Sequence, residues 1–162
     1  MSDVIVVGGG PAGLSAALFT AKNGLETKLF DTDDTWMHKA HLFNYLGIES
    51  IDGSEFMAQS RDQVDSFGVD QHQGEEVTGV EQTEDGFAVT TEDGKYEASY
   101  VVLATGTDRG FAKDIGADFT DRAVVDVDVT METSVEDAYA TGSMVRVEEW
   151  QAIISAGDGA AA

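Results

Sequence analysis

Apolar and polar positions change period several times along this chain, and each change marks an element. Val4-Ile5-Val6-Val7 is an unbroken β-branched run that leads into Gly8, the pattern of a strand over 4–8 buried on both faces. From Pro11 to Asn23 the period becomes helical, with Leu14, Ala17, Leu18 and Ala21 on one face. Pro11 suits the first turn, where no N–H is needed, and Gly24 suits a left-handed stop. A second apolar run over 26–31 closes at Asp31. Strand, helix and strand in this order predict a parallel βαβ opening.

Residues 32–53 read as irregular, with a short helical piece within 36–42. Ser54 as cap and Glu55 in the first turn predict a helix over 54–67, ended by Gly68. Residues 75–105 read as a meander of three strands, with turns at Glu84-Asp85-Gly86 and Glu92-Asp93-Gly94. Its last strand ends in Tyr100-Val101-Val102-Leu103, apolar enough to return to the central sheet. Residues 107–122 read as connection, Ala123 to Val129 and Ala138-Tyr139-Ala140 as short strands, and a closing helix begins near Glu149.

A length of 162 residues predicts one domain over 1–162, large enough to bury about 70% of its unfolded surface. The absence of cysteine excludes a disulfide framework, a Cys zinc site and a redox-active dithiol. No apolar run approaches the roughly 20 residues of a membrane span, and no basic-then-apolar leader opens the sequence. A cytoplasmic location is therefore expected. The net charge of -22, from 31 acidic and 9 basic residues, disfavours nucleic acid and membrane as partners. Because the acids are spread along the chain, they predict a halophilic origin, where molar salt screens charges beyond roughly 3 Å. The alternative is an ordinary protein with an acidic face for a partner.

Gly8-x-Gly10-x-x-Gly13 stands between the first strand and the first helix. Gly8 permits the tight turn, Gly10 lets a pyrophosphate approach the backbone, and Gly13 lets the helix pack on the strand. The helix N-terminus then offers free N–H groups to the phosphates. Asp31, at the end of the second strand, is placed to accept hydrogen bonds from an adenosine ribose. A second Gly-containing signature, Tyr139-Ala140-Thr141-Gly142, leads to Gln151 and Ala156-Gly157-Asp158-Gly159. A dinucleotide touching both ends of the chain is the expectation.

The first unit does not separate flavin from nicotinamide. Five segments together do so by resemblance: Val6 through Leu14, Phe43-Asn44-Tyr45-Leu46-Gly47, Val102 through Gly106, Asp126 through Gly142, and Gln151. They resemble the FAD domain of the thioredoxin reductase family, within the two-dinucleotide-binding-domain flavoproteins, over most of 3–106 and 123–160. The resemblance implies an α/β, Rossmann-like FAD-binding domain with a central parallel sheet and a three-stranded antiparallel β-meander. It implies FAD as cofactor, with Gly8, Gly10, Pro11, Ala12 and Gly13 at the pyrophosphate and Asp31 at the ribose. The backbone of Val77 would meet the adenine, Ala104, Thr105 and Gly106 would line the nucleotide, and Asn44 would lie near the flavin. Gly142 and Ser143 would form the second signature. Gln151, Ala152 and Ile153 would present helix amides to the flavin's pyrimidine edge, where the dipole stabilises an anionic reduced flavin.

Four departures qualify the likeness. Only 35 residues separate Gly106 from Gly142, too few for the family's inserted NADPH domain, so 107–122 would replace it. The Cys-x-x-Cys carried on that domain is necessarily absent. Ser143 stands where the family has Asp, and Thr35-Trp36-Met37-His38-Lys39 where it has Gly-Gly-Gln. The reading that follows is a minimal flavoprotein oxidoreductase exchanging electrons with a separate donor or acceptor protein, with no catalytic residue assigned. The alternatives are an FAD- or nucleotide-binding module or part of a redox assembly without turnover, and a plain nicotinamide-binding Rossmann domain. His38 and His41 have no third ligand in sight, so no metal is expected. Trp36 and Trp150 are open to ring stacking or to packing. A homodimer is expected, partly from the family and partly because Phe111, Ile115 and Phe119 would stand exposed where a domain is missing; the alternative folds them onto the sheet edge.

Overall fold

The computed structural model describes residues 1–162. β1 (Ser2–Val7), α1 (Pro11–Lys22) and β2 (Thr27–Asp31) form the opening βαβ unit. Then come β3 (His41–Leu42), β4 (Ile51–Asp52), α2 (Gly53–Ser66), β5 (Asp70–Gln73), β6 (Val77–Thr83), β7 (Gly86–Thr91) and β8 (Lys95–Leu103). α3 (Gly110–Asp114), β9 (Ala138–Ala140) and α4 (Ala152–Ala161) complete the chain. A 3-10 turn covers Trp36–Lys39.

Seven strands share one sheet in the order β5-β2-β1-β8-β7-β6, with β9 also on β8. β5, β2, β1, β8 and β9 run parallel, whereas β6, β7 and β8 are antiparallel. β8 belongs to both parts. One edge pairs with β1, while the other pairs with β7 through Ala98 and with β9 from Val101 onward. This is the Rossmann-like sheet that the resemblance implies, with the parallel βαβ opening and the meander that the pattern predicts.

Alternate residues of β1 feed two cores. Val4 and Val6 pack with Leu14 and Ala17 of α1 and Met57 and Val64 of α2. Ile5 and Val7 pack with Val77, Val80, Phe87 and Val89 of the meander. Burial on both faces explains the unbroken apolar run. It also brings the C-terminal ends of β1, β2 and β8 together, where α1 begins.

Several expectations need correction. Ala123 to Val129 is not a strand; it makes only an isolated bridge, Phe119 to Val125, and Ala123 has φ 59°. The α2 cap is Asp52, whose carboxylate accepts from the Ser54 amide at 2.9 Å. The closing helix starts at Ala152 rather than near Glu149, whose own φ is 57°. β5 has no apolar pattern to mark it in the sequence, yet it pairs with β2 from Lys28 to Asp31. Phe111, Ile115 and Phe119 are not an exposed patch. Ile115 is buried, and Phe111 and Phe119 pack against the same core as Ile5 and Val125. These side chains fold back onto the sheet, which removes the apolar ground for a homodimer.

Candidate functional site

A cleft of about 540 Å³ opens at the C-terminal ends of the parallel strands, the place where open α/β sheets bind ligands. Its floor is Val7 to Ala12, Phe30 to Thr32 and Ala104 to Thr107. Glu75 to Val77 close one side, and Thr141, Ser143, Trp150, Ala152 and Ser155 the other. The lip carries Asp34 to Met37.

The turn from β1 into α1 is shaped by close approach. Gly8 has φ +105°, and a Cβ there would lie 2.3 Å from the Ala104 carbonyl oxygen. A Cβ on Gly13 would lie 1.8 Å from the Gly8 carbonyl oxygen, so this glycine serves the packing of α1 on the strand. Gly10 is different. Its nearest neighbour to such an atom is Thr35 Oγ1 at 4.0 Å, which leaves the space in front of it open. Gly10 is also the N-cap of α1 and offers no side chain to the helix. The first-turn amides therefore have no intrahelical partner and favour an anion.

Asp31 is held from two directions. Its Oδ1 accepts from the Gly9 amide at 3.2 Å, and its Oδ2 accepts from Arg61 Nη2 at 3.0 Å. Arg61 also pairs with Asp33. Burial raises the Asp33 carboxyl, but hydrogen bonds from His38 and Arg61 outweigh it and leave the group below its ordinary value. At the meander side, Glu75 accepts from the Thr91 hydroxyl at 2.6 Å, from Tyr96 at 3.0 Å, and meets His72 at 2.7 Å. The Thr91 bond is the main reason its carboxyl lies below the ordinary value, against the opposing effect of burial. Phe30 stacks on His72 at 4.5 Å and so joins the cleft to this polar cluster.

Two arginines anchor the second signature. Arg109 donates to the carbonyls of Met144 at 2.9 Å and Ser143 at 3.0 Å. Arg146 makes a two-pronged pair with buried Asp158 at 2.8 and 2.6 Å. A Cβ on Gly142 would lie 2.8 Å from that of Ala12, so the signature abuts the start of α1. Thr141, which borders the cleft, keeps a buried hydroxyl with no hydrogen-bond partner.

Of the residues singled out by sequence, Gly8, Gly10, Pro11, Ala12, Asp31, Val77, Ala104, Thr105, Gly106, Ser143 and Ala152 line this cleft together. Gly13 and Gly142 support it from behind, while Gln151 and Ile153 do not border it. Asn44 lies elsewhere, in a shallow depression formed by Phe43 to Glu49. Both tryptophans border the main cleft, Trp36 87% and Trp150 54% exposed. The ring nitrogens of His38 are taken by Asp33 and Ser54, and His41 contacts Ser50. Sequence reading missed Arg61, Glu75, Glu76, Asp108 and Thr141. Only Thr141 carried a signal, as part of the second signature.

A family model described as pyridine nucleotide-disulphide oxidoreductase matches residues 2–56 and 47–157. One component of alkyl hydroperoxide reductase, that of Staphylococcus aureus strain NCTC 8325, is 35% identical over 111 residues, covering 64% of this chain and 21% of that protein. Its Staphylococcus epidermidis counterpart is 33% identical over 111 residues, with the same 64% and 21% coverage. The chain thus spans about a fifth of the length of these curated relatives. Among solved structures, thioredoxin reductase of T. acidophilum superposes with a TM-score of 0.90 at 19% identity, spanning 99% of this chain and 95% of that one. The atypical thioredoxin reductase TRi of Desulfovibrio vulgaris Hildenborough superposes at 0.91 with 18% identity, spanning 100% and 95%. These likenesses establish the fold.

Proposed function

The chain belongs to the pyridine nucleotide-disulphide oxidoreductase family, and we propose that its cleft holds FAD and that the protein is a minimal flavoprotein oxidoreductase. The observation that carries this reading is the convergence of both Gly signatures on one cleft. Gly10 leaves room for a pyrophosphate, and the uncapped start of α1 faces the same space. The buried, unpartnered hydroxyl of Thr141 fits a polar ligand better than an empty pocket. The Gly8–Gly13 turn would hold the pyrophosphate, Asp31 the ribose, Val77 the adenine, and Ser143 with the first turn of α4 the flavin side. FAD, when bound, supplies the electron-accepting ring; the protein orients it and tunes its surroundings.

In this reading residues 107–122 replace the nicotinamide-binding domain of the larger relatives. Electrons then come from a separate partner or a diffusible donor. With no cysteine in the chain, they cannot leave through a dithiol of its own.

The deciding experiment is the absorbance spectrum and mass of the ligand that co-purifies in molar salt, followed by FAD titration of the stripped protein. Flavin bands and saturable binding are expected. An NAD-selective protein, or one that binds neither, overturns the proposal. Reduction of bound flavin by NADH, NADPH or a partner protein separates an enzyme from a binding module without turnover.

A further inference from the structure

We infer that salt concentration gates this cleft: an anionic dinucleotide binds more tightly as monovalent salt rises. The inference rests on the cofactor reading above. Ordinary phosphate sites use Lys or Arg and lose affinity as salt competes. Here none of the 27 residues lining the cleft is Lys, Arg or His, whereas Asp31, Asp34, Glu75, Glu76 and Asp108 all line it. These carboxylates come from separate segments of the chain, and only the fold brings them together.

The neighbouring arginines offset them only in part. Arg61 is paired with Asp31 and Asp33, which leaves that trio one negative charge, and Arg146 is paired with Asp158; Arg109 keeps its positive charge but commits its N–H groups to the backbone carbonyls of Thr107, Ser143 and Met144. No cationic side chain lines the cleft, so the attraction that a pyrophosphate meets at contact is the helix start. The start of α1 carries about half a positive charge and donates hydrogen bonds at contact distance. The repulsion is longer in range, coming from the lining acids and from a chain with net charge -22. Salt screens the distant term first and leaves the contact term nearly intact. From about 0.1 M to about 1 M salt the Debye length shrinks from roughly 10 Å to 3 Å. A doubly charged ligand and a carboxylate separated by about one low-salt Debye length lose most of their repulsion over this range, and several such pairs sum to roughly tenfold in affinity.

The test is FAD titration, read by flavin fluorescence, across that range of KCl, on protein whose far-UV circular dichroism is unchanged over the points compared. A double variant, Asp34→Asn with Glu76→Gln, isolates the cleft. Both side chains are exposed and neither makes a hydrogen bond in the structure, so the fold does not depend on them. The parent should bind roughly tenfold tighter at the high-salt end. The variant should bind several-fold tighter than the parent at low salt, show a shallower slope, and converge with it at high salt. Affinity that is flat or falls with salt overturns the inference, as does a variant with the parent's low-salt affinity. FAD binding by neither protein at any salt overturns the cofactor reading and the gating with it. Where low salt unfolds the parent, the comparison with the variant at the lowest common folded point still decides.

Discussion

Arg61 reaches from α2 to within 3.0 Å of the Asp31 carboxylate at the end of β2, with its side chain 17% exposed and that of Asp31 9%. The pair fixes the acid that ends β2 while Gly9 holds the other oxygen at 3.2 Å. Removing one partner of so buried a pair leaves the other charge stranded. Arg61→Met should therefore lower stability by about 3 kcal/mol and loosen FAD binding. Urea unfolding at constant salt measures the first and flavin titration the second. Unchanged stability would show that Asp31 needs no counter-charge.

The glycines of the first motif should divide by role. Gly10→Val keeps the backbone angles it already has, φ -74° and ψ -175°, and its side chain enters open space. The protein should stay folded and lose FAD. Gly13→Ala places a methyl group 1.8 Å from the Gly8 carbonyl oxygen, so α1 must move off the strand. That variant should lose several kcal/mol of stability, on the order of other core overpacking. Circular dichroism and FAD occupancy, measured on both, check the division.

Thr141 carries a buried hydroxyl with no partner. Thr141→Val removes it at nearly constant shape. The ligand-free protein should gain about 1 kcal/mol, and FAD affinity should fall. A variant that gains stability and binds FAD as before would place the hydroxyl away from the ligand.

Ser143 lines the cleft with its carbonyl held by Arg109. Ser143→Asp restores a charge-assisted acceptor and should tighten FAD binding by roughly tenfold in molar salt. Titration of the two proteins side by side is sufficient. Equal affinity would mean that the side chain does not reach the cofactor.

Stability should fall on the acid side. Asp33, Asp70 and Glu75 are all held below their ordinary values of 3.8, 3.8 and 4.5. For carboxyls depressed in the folded state, the stabilisation is complete above the unfolded values and disappears as pH falls through the folded ones. Thermal unfolding between neutral pH and about pH 3 should show a decline that sets in near the unfolded values. Glu75→Gln should flatten part of it, because that residue no longer needs to be ionised.

Much of the fold is legible in the chain because its determinants are local. The run from Val4 to Val7, the turn at Gly8 and the helical period from Pro11 each record geometry within a few residues. Together they place the βαβ unit, and the acidic turns place the meander. The same is true of Gly10 and Asp31, whose positions follow from the ends of β1 and β2. What lay beyond the sequence depends on docking. β5 is polar because it is an edge strand, paired only with β2, so no apolar alternation marks it. Phe111 and Phe119 look like an exposed patch until the connection folds back onto the core shared by β1 and the meander. Arg61 is 30 residues from Asp31 along the chain, and only the seating of α2 makes them a pair. The acidic lining of the cleft likewise arises from several segments that have no reason to be neighbours in sequence. Local periodicity specifies which elements form, whereas the burial of both sheet faces decides which charges those elements bring together.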